Sequence, residues 1–149
     1  MKIYLGADHR GFKLKEKLKG WLKDQKIECE DLGNTQYEIE DDFPDFGKKV
    51  AEKVQTTGEK GILLCGSGGM ALVANKFKGV WSAEAYDVER AKHAKEHDGV
   101  NVLSIPADVV DEKTACEMVR VWLETEVEQK EKYQRRLDKI KAIEERNFV

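Results

Sequence analysis

The chain has 149 residues, 40% hydrophobic and 37% charged, which suits one domain spanning residues 1–149 with one sizeable core. Its 26 basic and 29 acidic residues leave a net charge of −3, which argues against a nucleic-acid partner. No apolar run approaches a membrane span, Met1 leads into a strand rather than a leader peptide, and the three cysteines lack metal-ligand spacing; a reduced, cytoplasmic protein without membrane association is expected.

Lys2 to Ala7 reads as a short strand running into Asp8-His9-Arg10-Gly11. Leu14, Leu18, Trp21 and Leu22 then recur at helical spacing. Lys13, Lys15, Lys17, Lys19 and Lys23 fall mostly on the opposite face and read as solvated surface. Ile27 to Leu32 is a second, more exposed strand in which Ile27 and Cys29 alternate with Glu28 and Glu30. Asn34 to Pro44 is an acidic loop, and Pro44 suits the first turn of a helix carrying Phe46, Val50 and Val54, ended by Thr57-Gly58. The apolar run Ile62 to Leu64 is a buried strand that ends in Cys65, passes through Gly66-Ser67-Gly68-Gly69 and resumes as a helix at Met70.

A fourth strand is predicted over Val80 to Ala85, after Gly79, with Asp87 as N-cap of a helix over Val88 to Glu96. His97-Asp98-Gly99 is the turn out of that helix, and Asn101 to Ile105 is the fifth strand. Asp111 opens a helix with Ala115, Met118, Val119 and Trp122 on one face. From Gln129 the tail is charged, yet Tyr133, Leu137, Ile140 and either Ala142 or Ile143 form a stripe, a docking face for its own domain or a partner subunit.

Strands alternating with helices over short links predict a three-layer α/β fold: an open five-stranded parallel sheet, Rossmann- or flavodoxin-like, with helices on both faces and a C-terminal docking helix. Ligands of such sheets bind beyond the carboxyl ends of the strands. Asp8-His9-Arg10, Cys65-Gly66-Ser67 and Tyr86-Asp87 sit at those ends. A strand, a glycine loop and a helix start together make an anion site, and a thiol at its mouth is expected to have a lowered pKa. The plainer reading, Cys65 as a small core residue beside a tight turn, stays open. The P-loop pattern is absent and the dinucleotide fingerprint fits poorly. His97 precedes a strand whereas Cys65 ends one, so only a second subunit could bring the two together.

At Gly6-Ala7-Asp8-His9-Arg10-Gly11-Phe12, Cys65-Gly66-Ser67-Gly68, Ala74-Asn75-Lys76-Phe77 and His97-x-x-x-Asn101-Val102-Leu103, the chain resembles the type B ribose-5-phosphate isomerase and galactose-6-phosphate isomerase family, from Lys2 to about Arg146. The resemblance implies interconversion of an aldose and a ketose, as small sugars or sugar phosphates, through a cis-enediolate, without metal or organic cofactor. It further implies a homodimer or homotetramer with shared active sites. By position, Cys65 would be the general base and Ser67 would carry the hydroxyl proton. The N–H groups of Gly66 to Gly69, Gly68 included, would hold the oxyanion. His97 would open the sugar ring, and Asp8 and His9 would grip its oxygens. Arg10, Asp98, Lys132 and Arg136 complete the expected substrate contacts.

Several positions depart from the family pattern. The glycine loop is one residue shorter than in most relatives. Asp98 replaces an asparagine, Asp108 replaces an arginine, and Glu131-Lys132-Tyr133 stands where Gly-Arg-His is usual, although Arg135 and Arg136 remain. Carboxylates at phosphate positions would repel a phosphate by about 1–4 kcal/mol each, which Arg10, Arg135 and Arg136 would offset only if the fold directs them inward. Affinity for ordinary five-carbon sugar phosphates is therefore expected to be weak, with preference for an uncharged, positively charged or differently phosphorylated sugar. The same replacements admit a second reading, a non-catalytic or hetero-oligomeric sugar-binding paralogue. Should Cys65 not be the base, Glu84 is the first nearby acid to consider. A flavodoxin-like carrier would rest on fold alone.

Overall fold

The computed structural model describes residues 1–148. Its elements are β1 (Lys2–Ala7), α1 (Phe12–Asp24), β2 (Glu28–Asp31), α2 (Phe43–Thr57), β3 (Lys60–Cys65), α3 (Gly69–Ala74), β4 (Ser82–Glu84), α4 (Val88–Glu96), β5 (Val102–Pro106), α5 (Glu112–Glu124) and α6 (Glu131–Asn147). The strands form one parallel sheet in the order β2-β1-β3-β5-β4.

Alternation along the strands divides the core. Ile3, Leu5, Ala7, Ile62, Leu64, Leu103 and Ile105 pack under α1, α4 and α5, while Tyr4, Leu63, Cys65 and Val102 pack under α2 and α3. Helices thus cover both faces, as the parallel arrangement requires. β5 lies between β3 and β4, so the order departs from the flavodoxin one, in which sequence order is kept on that side.

The edge strands are shorter than predicted. β4 begins only at Ser82, because the Val80 N–H donates to the Phe77 carbonyl (3.0 Å) in a turn with Gly79 at a φ of 81°. β2 begins at Glu28, because the Ile27 N–H is taken by the Leu22 carbonyl (2.9 Å) as the chain leaves α1.

A second correction concerns Lys15, which the helical pattern assigns to the solvated face. It is fully buried, its Nζ 2.5 Å from Asp31 Oδ2, 3.1 Å from Glu16 Oε1 and 5.2 Å from the centre of the Phe12 ring. Its aliphatic stem lies in the α1–β2 packing while Asp31, at the end of β2, meets the charge. Lys19 adds a second ammonium at 2.7 Å from Asp31.

α6 buries Leu137. Glu144 Oε1 accepts from the Gly79 N–H (2.6 Å) and from Trp81 Nε1 (3.2 Å), which fastens the helix beside the start of β4. Ile140 and Ile143 of the same predicted stripe stay 42% and 63% exposed, so the helix docks on its own domain and leaves an apolar strip uncovered.

Burial pushes the Asp31 carboxyl up, but the Lys15 and Lys19 ammoniums and the Gly33 N–H outweigh it and hold the group below its ordinary value of 3.8. A depressed folded-state pKa contributes stability that is present above the unfolded value and lost as pH falls through the folded one. Asp31→Ala, which leaves Lys15 buried beside only Glu16, is expected to cost about 3 kcal/mol at neutral pH. Urea melts at pH 7 and in acid should show that cost shrinking as the wild-type carboxylate protonates; an equal cost in both would contradict the ion-pair account.

Candidate active site

β1 is flanked by β2 on one side and β3 on the other, and the chain reverses direction across the sheet there. This is the position at which open parallel sheets bind ligands. The Asp8–Gly11 turn leaves β1 and the Gly66–Gly68 loop leaves β3, side by side. A Cβ at Gly11 would run into the Leu64 carbonyl, so glycine is what lets the two exits touch.

Asp8 is 4% exposed and fully engaged. Its Oδ1 accepts from the N–H groups of Arg10 (3.0 Å) and Gly11 (3.1 Å), which shapes the turn into α1. Its Oδ2 accepts from the Cys65 thiol at 3.3 Å. Next to it, His9 Nδ1 lies 2.7 Å from Asp41 Oδ1, while Asn34 Nδ2 donates to the other oxygen at 3.2 Å. Burial raises the Asp41 carboxyl, and the bonds from His9 and Asn34 more than reverse this, so it is held low. Asp8, His9 and Asp41 place donor atoms within 4.8 Å of one another, but each already has a protein partner, so this spacing alone does not define a metal site.

A cleft of about 540 Å³ opens above these groups, lined by Asp8, His9 and Arg10, by Cys65, Ser67 and Gly69, and by Asp41 to Asp45. Three side chains close on the glycine loop beside it. A Cβ on Gly66 would overlap the Arg10 guanidinium, one on Gly68 would overlap the Glu84 carboxylate, and one on Gly69 would sit 2.7 Å from the Phe43 ring. Arg10 is ion-paired with Asp108. Asp108, expected to confront a phosphate, therefore has its charge opposed within the chain.

The Cys65 thiol differs from expectation. Burial pushes its pKa up and Asp8 adds to the rise, while the N–H groups of Ser67 and Gly66 only partly oppose it. The helix that was to lower it, α3, has only six residues, too short to outweigh burial beside a carboxylate.

His97, Asp98, Lys132 and Arg136 are not in this cleft. His97 caps the C-terminus of α4, at the opposite end of the sheet from Cys65. Its ring is stacked between His93 (5.0 Å) and Tyr133 (4.8 Å, planes 3° apart). Lys132 Nζ and Arg136 Cζ lie 5.1 and 5.7 Å from the centre of the Tyr133 ring, and Asp98 is exposed beside the stack. Two groups of expected site residues thus lie at opposite edges. Sequence reading missed Asp41 and Phe43 as parts of the first; the signal was an acidic loop leaving β2 at the carboxyl edge of the sheet.

A family model described as Ribose/Galactose Isomerase matches residues 3–140. The chain belongs to the ribose/galactose isomerase family. Its enzyme class is accordingly that of an aldose–ketose isomerase. The ribose-5-phosphate isomerase B of Mycobacterium tuberculosis is 35% identical over 140 residues, covering 93% of this isomerase and 86% of the relative. A crystal structure of ribose-5-phosphate isomerase B from Mycoplasma genitalium with bound ribulose-5-phosphate superposes with a TM-score of 0.92 at 35% identity, over 97% of this chain and 96% of that one. The Clostridium thermocellum ribose-5-phosphate isomerase B also gives 0.92, at 36% identity over 98% and 99%. The family resemblance and the parallel α/β fold read from the sequence both hold. Among the described residues, no helix is long and apolar enough to cross a membrane.

In the free isomerase, Cys65 should alkylate with iodoacetamide at pH 7 more slowly than free cysteine, and its rate should climb only in the alkaline range, above the ordinary thiol value of 9.0. Mass spectrometry resolved by cysteine would measure this; a rate at pH 7 above that of free cysteine would contradict the raised pKa.

Proposed function

We propose that the chain interconverts the aldose and ketose forms of a small sugar phosphate of the ribose 5-phosphate and ribulose 5-phosphate type. The observation that carries this reading is the Cys65 thiol, 3.3 Å from a buried carboxylate, in a cleft that it lines together with Ser67 and Gly69 of the glycine loop. Ribulose-5-phosphate in the Mycoplasma genitalium relative supports the substrate class.

The reaction moves one proton between adjacent carbons and one between their oxygens. The resting thiol must first lose its proton, and Asp8 Oδ2 is the acceptor already bonded to it. The thiolate then takes the proton from C2 of the open-chain aldose, and the electron pair moves onto the C1 oxygen. N–H groups of the Gly66–Gly69 loop stabilise that oxyanion, the kind of preorganised donor set that is often the largest catalytic contribution. Ser67 passes the hydroxyl proton between the two oxygens, and the thiol returns its proton to C1. His9, held by Asp41, grips a sugar hydroxyl, with Arg10 beside it. None of these steps requires a metal or an organic cofactor.

Ring opening is assigned to His97 of a second subunit, with Asp98 beside it and with Lys132 and Arg136 as its phosphate-holding neighbours. The working form would then be a homodimer or homotetramer. The exposed strip of Ile140 and Ile143 on α6 supports an assembly. The unpaired Cys29, Cys65 and Cys116 support a reducing, cytoplasmic setting.

Cys65→Ala is expected to lower kcat by about 10²–10⁴-fold with little change in KM. Mixed with His97→Ala, it should recover roughly a quarter of wild-type turnover, since random twofold pairing rebuilds one intact site in half of the dimers. Absence of recovery on mixing would remove the shared site.

Ribose 5-phosphate should be turned over with a KM on the order of 1 mM, because Asp41, Asp42 and Asp45 line the cleft with negative charge. Comparing its kcat/KM with that of ribose tests this: efficient use of the phosphate with the free sugar inert would end the weak-affinity expectation while leaving the isomerase reading intact.

A further inference from the structure

Arg10 is the only lysine or arginine among the residues lining the cleft. Its guanidinium lies over Gly66, the residue after Cys65, where a Cβ would overlap it. Cys65 and Asp8 line the same cleft as Arg10. A free cation in that place would favour a thiolate. It is not free, since Asp108, on the loop after β5, is paired with it. We propose that Asp108 is a positioning residue: it pins the Arg10 guanidinium over Gly66 and cancels its charge there, so that the Arg10–Asp108 pair sets the electrostatic state of the Cys65 thiol.

The other charged or titratable groups around the sulfur are mostly acidic. Asp8 faces it directly from the turn after β1, with His9 next in that turn. Glu84 reaches the loop at Gly68 from β4, and Asp41, Asp42 and Asp45 stand across the cleft. Nearly all of these favour the neutral thiol, and Arg10 is the one permanent charge opposing them. With Asp108 in place that opposition is muted and the empty site rests as a thiol bonded to Asp8. A substrate oxygen that drew Arg10 from Asp108 would shift the balance toward the thiolate when the sugar is present. The consequence for turnover rests on Cys65 being the base; the pinning of Arg10 does not.

The experiment measures the pH midpoint of Cys65 alkylation by iodoacetamide in the full-length protein, resolved by mass spectrometry, with Cys29 and Cys116 as internal references. Three variants are compared: Asp108→Asn, which keeps an acceptor for Arg10 but removes the charge; Arg10→Met, which keeps the stem; and the double variant. Asp108→Asn should lower the midpoint by about one pH unit and Arg10→Met should raise it by about one. The double variant should return to within a few tenths of a unit of wild type, while Cys29 and Cys116 stay unchanged. A purely structural role predicts shifts in the same direction, or movement of the reference cysteines as well. Either of those results, or a midpoint that neither single variant moves, would overturn the proposal. The acid limb of kcat/KM on ribose 5-phosphate is followed in parallel. If it tracks the alkylation midpoint, both readings stand. If alkylation shifts as stated and the acid limb does not, the pair is upheld and Cys65 as base is rejected.

Discussion

Gly11 sits where a Cβ would strike the Leu64 carbonyl, and the turn after β1 consequently lies against the last residues of β3. The cleft depends on that approach. It puts Asp8 within hydrogen-bonding distance of Cys65, although the two are 57 residues apart in sequence. It also stacks Arg10 on Gly66. A side chain at position 11 would separate the two strand exits, and the thiol, the carboxylate and the guanidinium would no longer share one environment. Backbone packing therefore precedes the chemistry here.

Charge is handled differently in two places where this chain buries or crowds it. Lys15 and Asp31 form a closed arrangement with Glu16 and Lys19, and it serves the joint between α1 and β2. Asp8 and Arg10 line a cleft instead, Asp8 bonded to a thiol and Arg10 paired with Asp108. Among the described residues, no buried side-chain nitrogen or oxygen lacks a partner. The buried polar groups of the site are thus satisfied within the chain.

The second group, His97 with Tyr133, Lys132 and Arg136, is built from a helix end and the C-terminal helix at the far edge of the sheet. Stacking between His93 and Tyr133 fixes the plane of the His97 ring. That a parallel sheet should present a third of its expected site residues at the edge away from its ligand cleft is what motivates a shared site. α6 holds this group in place through Glu144 and Leu137 while leaving Ile140 and Ile143 uncovered.

Much of this was legible in the sequence. Apolar runs marked the central strands β1, β3 and β5, because burial on both faces of a parallel sheet imposes that pattern locally, and helical spacing marked α1, α2 and α5. The glycine loop after Cys65 and the Asp8-His9-Arg10 turn were legible too, since each directly follows a buried strand and so had to emerge at the carboxyl edge. Position along the chain also separated His97 from Cys65. What the sequence could not supply was pairing between elements. Lys15 read as solvated because helical periodicity takes no account of an aspartate at the end of the next strand. Whether Arg10 offsets Asp108 stayed open because nothing local places the two, 98 residues apart, against each other. The thiol read as acidified by a helix start, whereas its protonation follows from how deeply β3 is buried and from the carboxylate that β1 sets beside it. Those are properties of the packed sheet: they depend on distances between segments remote in sequence, and only the tertiary structure decided them.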